Sequence, residues 1–321
     1  MNETAPAASK AAPRASFAAR MWTYQAERFP VVKHGALIVA FGASAVCLSA
    51  LLRGGIPTWH AIVVAVVVLF GFFFQLRVAD EHKDFADDAK YRPERAVPRG
   101  LVSLGELRWV AVGVALVQIA LTASLGWGMV GLLLVAWAWM ALMTKEFFAP
   151  KALRARPILY MVSHMAVMPL IDLYATACDW LPSGAMPDGF GLALGAFLGL
   201  SLTNGIVLEI ARKSWAPERE REGVETYSKL WTPGRAGLSV AAAMFGGLML
   251  SAFVHVQSGA HVVFLAGLLL AALYALYGAI DYAGTPTVKA AKRLETASGV
   301  FVLTNYLLLG VLPMVERLWL G

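Results

Sequence analysis

The chain is dominated by a succession of apolar runs, each long enough to cross a lipid bilayer as a helix. A hydrocarbon layer about 30 Å thick requires roughly 20 apolar residues in α-helix. The 321-residue sequence is 59% hydrophobic and only 15% charged, and its apolar residues are not arranged in amphipathic stripes. This pattern predicts an all-α, polytopic membrane protein. Nine runs lie near 34–52, 58–78, 104–125, 127–144, 157–178, 188–211, 236–254, 260–281 and 297–316.

The cationic residues fall almost entirely on one side of these predicted spans. All but two of the 27 Lys and Arg residues precede the first span or lie in alternate connections, and the exceptions are Arg53 and Arg317. Because cationic loops are retained in the cytoplasm, this asymmetry predicts an N-terminus inside and, with nine spans, a C-terminus outside. The net charge of +6 therefore reflects the orientation of the chain in the membrane, and no nucleic-acid partner is expected.

The region before the first span is predicted to contain a tail and a surface helix. Residues 1–16 are rich in Ala, Pro and Ser and are expected to be disordered. Residues 17–30 interleave aromatic with charged side chains, which is typical of a short interfacial helix. The connections between spans are short, so residues 17–321 are expected to form a single nine-helix membrane domain.

The most informative segment follows the second predicted span and is rich in acidic residues. Asp80, Asp84 and Asp88 recur at i, i+4 and i+8, so a continuing helix would carry their carboxylates on roughly one face. Like charges at this spacing oppose helix formation by about 0.2–0.5 kcal/mol per pair, which a divalent cation would offset. Carboxylates without His or Cys favour Mg²⁺, which completes its shell with substrate phosphate and water. The alternative is a solvated loop neutralised by its own Lys and Arg residues.

This segment resembles the first signature of the UbiA-type intramembrane prenyltransferases. That signature reads Asn-Asp-x-x-Asp-x-x-x-Asp and is followed, after a short loop, by Arg-Pro and a Gly that opens the next helix. Two departures are visible, because Glu81 replaces an Asp and Ala96 replaces the Pro. The matching positions are Asp80, Glu81, Asp84, Asp88, Arg95 and Gly100.

The resemblance assigns roles to these side chains. Glu81, Asp84 and Asp88 are expected to bind the metal, and Asp84 and Asp88 are also expected to be catalytic. Asp80 and Arg95 are expected to bind substrate.

A second acidic segment follows the sixth predicted span and resembles the family's second signature. Glu209 and the run 223–228 match in kind, and Glu209 and Glu218 are the expected metal ligands here. Arg212 and Lys213 stand where the family usually keeps another Asp, and they are expected to bind substrate phosphate. The alternative is an ordinary helical ion pair between Glu209 and Lys213 at i, i+4.

Three further ionisable residues lie within or beside predicted spans. Lys145 closes the fourth span, where the family often has a basic residue facing the diphosphate, and it is expected to be catalytic; the alternative is a membrane-interface anchor. Asp172 in the fifth span is expected to form a hydrogen bond between helices. The role of His164 in the same span is left open.

The resemblance implies a fold of nine transmembrane helices around a central cavity open to the cytoplasmic face, in a multi-pass protein of a bacterial cytoplasmic membrane. It implies Mg²⁺-dependent transfer of a prenyl group from an isoprenyl diphosphate donor to an aromatic or other lipophilic acceptor, with membrane lipid around both. Two alternatives remain: phosphoribosyl transfer to a polyprenyl phosphate, and a non-catalytic carrier or scaffold. A transporter would place its ionisable residues near the bilayer midplane, whereas here they lie mostly at helix ends.

Overall fold

The structure, a computed structural model, describes residues 15–320, and within that range it consists of helices and their connections. Residues 1–14, which hold most of the predicted tail 1–16, and residue 321 lie outside the described residues. The first seven helices are α1 (Phe17–Arg28), α2 (Val31–Leu52), α3 (Trp59–Lys83), α4 (Phe85–Tyr91), α5 (Leu104–Ala123), α6 (Trp127–Thr144) and α7 (Pro150–Arg154). The remaining eight are α8 (Pro157–Met165), α9 (Val167–Ser183), α10 (Phe190–Arg212), α11 (Tyr227–Trp231), α12 (Pro233–Ser258), α13 (Val262–Gly284), α14 (Val288–Leu309) and α15 (Val311–Leu320).

Between residues 15 and 320, nine helical segments are long and apolar enough to cross a membrane, which confirms the predicted integral, multi-pass architecture. Two of these segments are divided, the fifth at Ala166 between α8 and α9, and the last at Gly310 between α14 and α15. A Cβ atom at Gly310 would lie 2.2 Å from the Ser44 carbonyl oxygen. Glycine is therefore required there for α14 to approach α2.

Successive spans pack side by side and close into a ring. The order of neighbours is α2, α3, α5, α6, α9, α10, α12, α13 and α14, and α14 returns to α2. α2 also meets α9 across the ring, and the side chains between them belong to one continuous apolar core. Because the spans alternate in direction, the connections after α3, α6, α10 and α13 emerge together. We call this side of the bundle the charged end.

Polar interactions inside the bundle join its inner helices at membrane depth. The Asp172 carboxylate on α9 accepts a short hydrogen bond from the Tyr306 hydroxyl on α14. Beside it, the Asn305 amide donates to Asn204 on α10 at 3.1 Å, and the Ser251 hydroxyl on α12 donates to Asn305 at 3.0 Å. These contacts satisfy polar groups that hydrocarbon cannot. The predicted role of Asp172 as an interhelical hydrogen-bond partner is confirmed.

The two cations that break the charge asymmetry lie together at the opposite end of the bundle. Arg53 forms an ion pair with Asp179 at 2.7 Å, and the Ser49 hydroxyl donates to the same carboxylate at 2.7 Å. Arg317 donates to the Gly54 carbonyl at 2.5 Å. Both arginines are thus used to join α15 and α9 to the end of α2.

Candidate active site at the charged end of the bundle

The first acidic segment leaves the second span with a short interruption of the helix. α3 ends at Lys83, Asp84 has a non-helical backbone conformation, and α4 begins at Phe85. The backbone N–H of Asp84 still donates to the Asp80 carbonyl at 2.9 Å, and that of Asp88 donates to the Asp84 carbonyl at 2.8 Å. The three aspartates therefore keep the i, i+4 spacing inferred from the sequence, although the helix is broken at the middle one.

Two of the predicted metal ligands are buried and already paired with arginines. Glu81 Oε1 lies 2.6 Å from Arg28 Nε, which α1 supplies. Asp88 is contacted by Arg95 at 2.6 Å and by Arg92 at 3.2 Å. A metal bound to either carboxylate would lie close to these arginines, whose positive charge would oppose its binding. Arg95, expected to bind substrate, is held beside Asp88.

The other two acids of this segment remain accessible. The Asp80 side chain is 53% exposed, and among the described side chains the cation that it contacts is Arg77, at 3.5 Å. Asp84 is also exposed, and it forms no ion pair with any residue in the described part of the chain. The protein around Asp84 withdraws part of its hydration, which raises the pKa of its carboxyl, and the charge of Asp88 raises it further.

An ion-pair cluster that the sequence did not reveal joins the ends of α3, α6 and α8. Lys83 Nζ lies 2.9 Å from Glu146 Oε1 and donates to the Tyr160 hydroxyl at 2.7 Å. Glu146 is buried, and Arg154 approaches its second oxygen at 3.8 Å. Lys145, expected to be catalytic, is exposed and lies outside this cluster, with no carboxylate within 4 Å among residues 15–320. The basic side chain that reaches the cluster is Lys83.

The turn after α6 holds Glu146 in place through an unusual backbone. Glu146, Phe147 and Phe148 have φ angles of 47°, 52° and 56°, a left-handed region that costs non-glycine residues about 1–3 kcal/mol each. The Phe147 ring packs 5.2 Å from Trp139 and 6.0 Å from His164. This packing stabilises the turn, which directs the Glu146 carboxylate towards Lys83.

His164 lies in the same cluster with one ring nitrogen unused. Its ring stacks on Tyr160 at 4.1 Å, and Nδ1 lies 2.8 Å from the Tyr160 carbonyl oxygen. A carbonyl can only accept, so Nδ1 carries a proton, and when the ring is neutral its lone pair is at Nε2. Nε2 is buried, and no described residue forms a hydrogen bond with it.

In the second acidic segment, Glu209 is buried between two cations. Its carboxylate contacts Arg212 and lies 2.9 Å from Lys213 Nζ. The ion pair considered from the sequence is therefore present, and it includes Arg212. Glu218 is exposed in a single helical turn and forms no ion pair among residues 15–320.

The acid that organises the second loop is Glu220, which sequence reasoning did not single out. Its carboxylate accepts from the Thr226 hydroxyl at 2.7 Å and from the Ser228 hydroxyl at 2.6 Å. Ser228 Oγ in turn accepts from the Trp215 N–H at 2.9 Å. The run 223–228, which resembles the family's second signature, thus shapes the loop.

The two loops face each other at the charged end. A Cβ at Gly223 of the second loop would lie 3.0 Å from the Tyr91 ring of the first, so the loops are in contact. The Tyr227 ring lies 6.0 Å from Lys213 Nζ. Burial, together with the nearby Glu209 charge, raises the pKa of Tyr227.

The accessible carboxylates fit a metal that is bound mainly through its substrate. Among the described residues, no three His, Cys, Asp or Glu side chains converge as a preformed site. Mg²⁺ commonly takes one or two carboxylates and fills its octahedral shell with phosphate oxygens and water. Asp80 and Asp84 supply that donor set.

Comparison with known proteins supports the fold. No protein-family profile and no curated protein sequence matches the chain. A solved structure described as a digeranylgeranylglyceryl phosphate synthase in membranes is similar, with a TM-score of 0.62 over 90% of this chain and 98% of that chain. The two sequences are 12% identical. The similarity confirms the fold of packed membrane-spanning helices that the sequence predicts.

The contrast between Asp84 and Asp88 gives a matched pair of variants. Asp88→Asn should lower the free energy of unfolding by about 1.5–3 kcal/mol, because it removes charged hydrogen bonds from Arg92 and Arg95. Asp84→Asn should leave stability equal or higher at neutral pH, since a carboxyl whose pKa is raised by folding opposes folding once it ionises. Thermal unfolding in detergent measures both, and equal losses would contradict the assignment.

Proposed function

We propose that the charged end transfers a prenyl group from an isoprenyl diphosphate to a lipophilic acceptor, with Mg²⁺ bound to the diphosphate, and that this end faces the cytoplasm. The observation that carries the proposal is the contact between two loops of opposite character: Asp80 and Asp84 are accessible on the first, and Arg212 and Lys213 lie on the second. The similar solved structure is described as a prenyl-lipid synthase, which supports this reaction class.

Asp80 and Asp84 would hold the metal, which supplies charge neutralisation of the departing diphosphate. The contacts favour a positioning role for the paired acids. Glu81 holds Arg28, and Asp88 holds Arg95 at the edge of the same site. These pairs keep cations near the diphosphate without using carboxylates as ligands.

Glu209 would act similarly in the second loop. It orients Arg212 and Lys213, and Arg212 can grip phosphate oxygens through its planar fork. Lys145, exposed at the same end, remains a proposed phosphate contact. Glu218 remains a proposed metal ligand in the exposed part of the loop.

An apolar groove between α8 and α12 suits the prenyl chain. The groove has a volume of about 450 Å³ and is lined by Ile158, Trp231 and Leu238, with Arg235 as its charged residue. Trp231 packs 4.7 Å from the Tyr227 ring, which itself lies beside Lys213. The groove therefore begins next to the charged cluster, so a chain in it would end where its diphosphate is bound.

Prenyl transfer also releases a proton from the acceptor, and we assign its reception to His164. The new bond forms between the allylic carbon and the acceptor, the carbon–oxygen bond to diphosphate breaks, and the acceptor's proton passes to Nε2. The hydrogen bond from Nδ1 to the Tyr160 carbonyl selects the tautomer of the neutral ring in which Nε2 carries the lone pair that would accept the proton.

A panel assay tests the proposed function. Purified protein is incubated with Mg²⁺, lipid extract and each of several isoprenyl diphosphates, and products are identified by mass spectrometry. Phosphoribosyl diphosphate is included because Arg212 and Lys213 would also suit a donor with additional phosphate. We expect a prenylated lipid with the parent and none with Asp84→Asn, which loses a metal ligand and keeps its fold. A phosphoribosylated product, or turnover by Asp84→Asn at limiting Mg²⁺ equal to that of the parent, would contradict the proposal.

The role of His164 gives a separate prediction. His164→Asn keeps a donor near the Tyr160 carbonyl and removes the base, so kcat should fall by about 10²–10⁴-fold while the donor KM stays unchanged. His60→Asn, at the opposite end of the bundle, is the matched control. If His164→Asn raised the donor KM and left kcat intact, His164 would be a packing residue of the donor site.

A further inference from the structure

A second concave surface at the charged end is lined mostly by residues that the proposed reaction does not use. This cleft lies between the loop after α10 and the first turns of α14, and its volume is about 260 Å³. Its lining cations are Arg219 and Arg221 from the loop, Lys292 from α14, and Arg212, which also belongs to the proposed donor site. We call it the arginine cleft.

The loop is built so that its two arginines point into the cleft. Glu220 is extended, with φ −61° and ψ 138°, and its carboxylate turns inward to the hydroxyls of Thr226 and Ser228. Arg219 ends the single helical turn Pro217–Arg219, Arg221 follows Glu220, and both line the cleft.

The floor of the cleft is fixed and small. Ser214 is buried and donates to the Ile210 carbonyl at 2.8 Å, and Ala216 is also buried. The Trp215 carbonyl accepts from the Tyr282 hydroxyl at 2.8 Å, which attaches the loop to α13. The cations thus surround a supported surface of short side chains.

The charge of the cleft is unbalanced. In the described part of the chain, Arg219, Arg221 and Lys292 have no carboxylate within 4 Å. Glu295 is the acidic side chain among the lining residues, so cations exceed acids. Its volume lies below the roughly 300–1,000 Å³ typical of drug-sized ligands, which favours a small polar group over a whole lipid.

We propose that the arginine cleft is a second anion site, which binds the phosphate group of a molecule at the membrane surface. Arginine and lysine converging from two elements match the oxygens of a phosphate, and arginine can contact them in pairs. The phosphate could belong to a phospholipid headgroup or to a free phosphate ion. The site goes beyond the proposed prenyl transfer, because its three unpaired cations lie outside the donor site assigned above.

A binding experiment without turnover tests this site. The full-length protein in neutral detergent is titrated calorimetrically with dioctanoyl phosphatidic acid, inorganic phosphate and dioctanoyl phosphatidylcholine. EDTA is present, so that a metal-dependent donor site does not contribute. The test variant is Arg219→Ala/Arg221→Ala, and Lys292→Ala probes the opposite wall. The matched control, Lys151→Ala/Lys289→Ala, removes two charges from the same end outside the cleft.

We expect phosphatidic acid to bind the double variant about tenfold or more weakly than the parent, which corresponds to the loss of at least one charged hydrogen bond. Lys292→Ala should weaken binding in the same direction, and the control should match the parent. Binding of phosphatidic acid without inorganic phosphate would identify a lipid headgroup, and comparable binding of both would identify the phosphate group itself as sufficient.

The proposal is overturned if the parent binds neither phosphate compound. It is also overturned if phosphatidylcholine binds as well as phosphatidic acid, or if the test variants and the control have equal dissociation constants. None of these outcomes depends on prenyl transfer, so failure of the panel assay would leave this site unaffected.

Discussion

The ion pair between Arg28 and Glu81 determines how the charged end can work. Its carboxylate is almost fully buried, and removing one partner would leave an uncompensated charge at the end of a transmembrane helix. Asp88 and Glu146 are also buried carboxylates, and their charges are compensated by Arg95 and by Lys83. Each pair joins elements distant in the sequence or fixes a loop, so the requirement to compensate buried charge also positions the site.

This pairing decides which acids are free to do chemistry. A buried carboxylate with an arginine at 2.6 Å is a weaker metal ligand, because its charge is already compensated and the arginine would repel the metal. Asp84 forms no ion pair among the described residues, and Asp80 contacts Arg77 only at 3.5 Å, so both acids meet less competition. In the proposed function they would bind a metal together with its diphosphate, which would bring further oxygen ligands. Substrate and metal would then bind together.

Much of this arrangement could be predicted from the sequence because it depends on local order. Hydropathy gave the spans, the Lys and Arg distribution separated the two ends, and the i, i+4 spacing of Asp80, Asp84 and Asp88 survives in the structure. The Lys83–Glu146 pair could not be found this way, because its partners are 63 positions apart and depend on a left-handed turn. The resemblance to the family's first signature located residues 80–100. It did not reveal which acidic side chains of that segment form ion pairs with arginines.

The central claim is that Asp80 and Asp84, rather than Glu81 and Asp88, hold the metal. The most direct measurement is an experimental structure with Mn²⁺ and an unreactive isoprenyl diphosphate analogue, in which anomalous scattering locates the ion. We predict Mn²⁺ at about 2.0–2.3 Å from oxygens of Asp80 and Asp84, close to the bond lengths of its Mg²⁺ counterpart, with Glu81 still paired to Arg28. An ion bound instead to Glu81 or Asp88, with the arginine displaced, would contradict the claim.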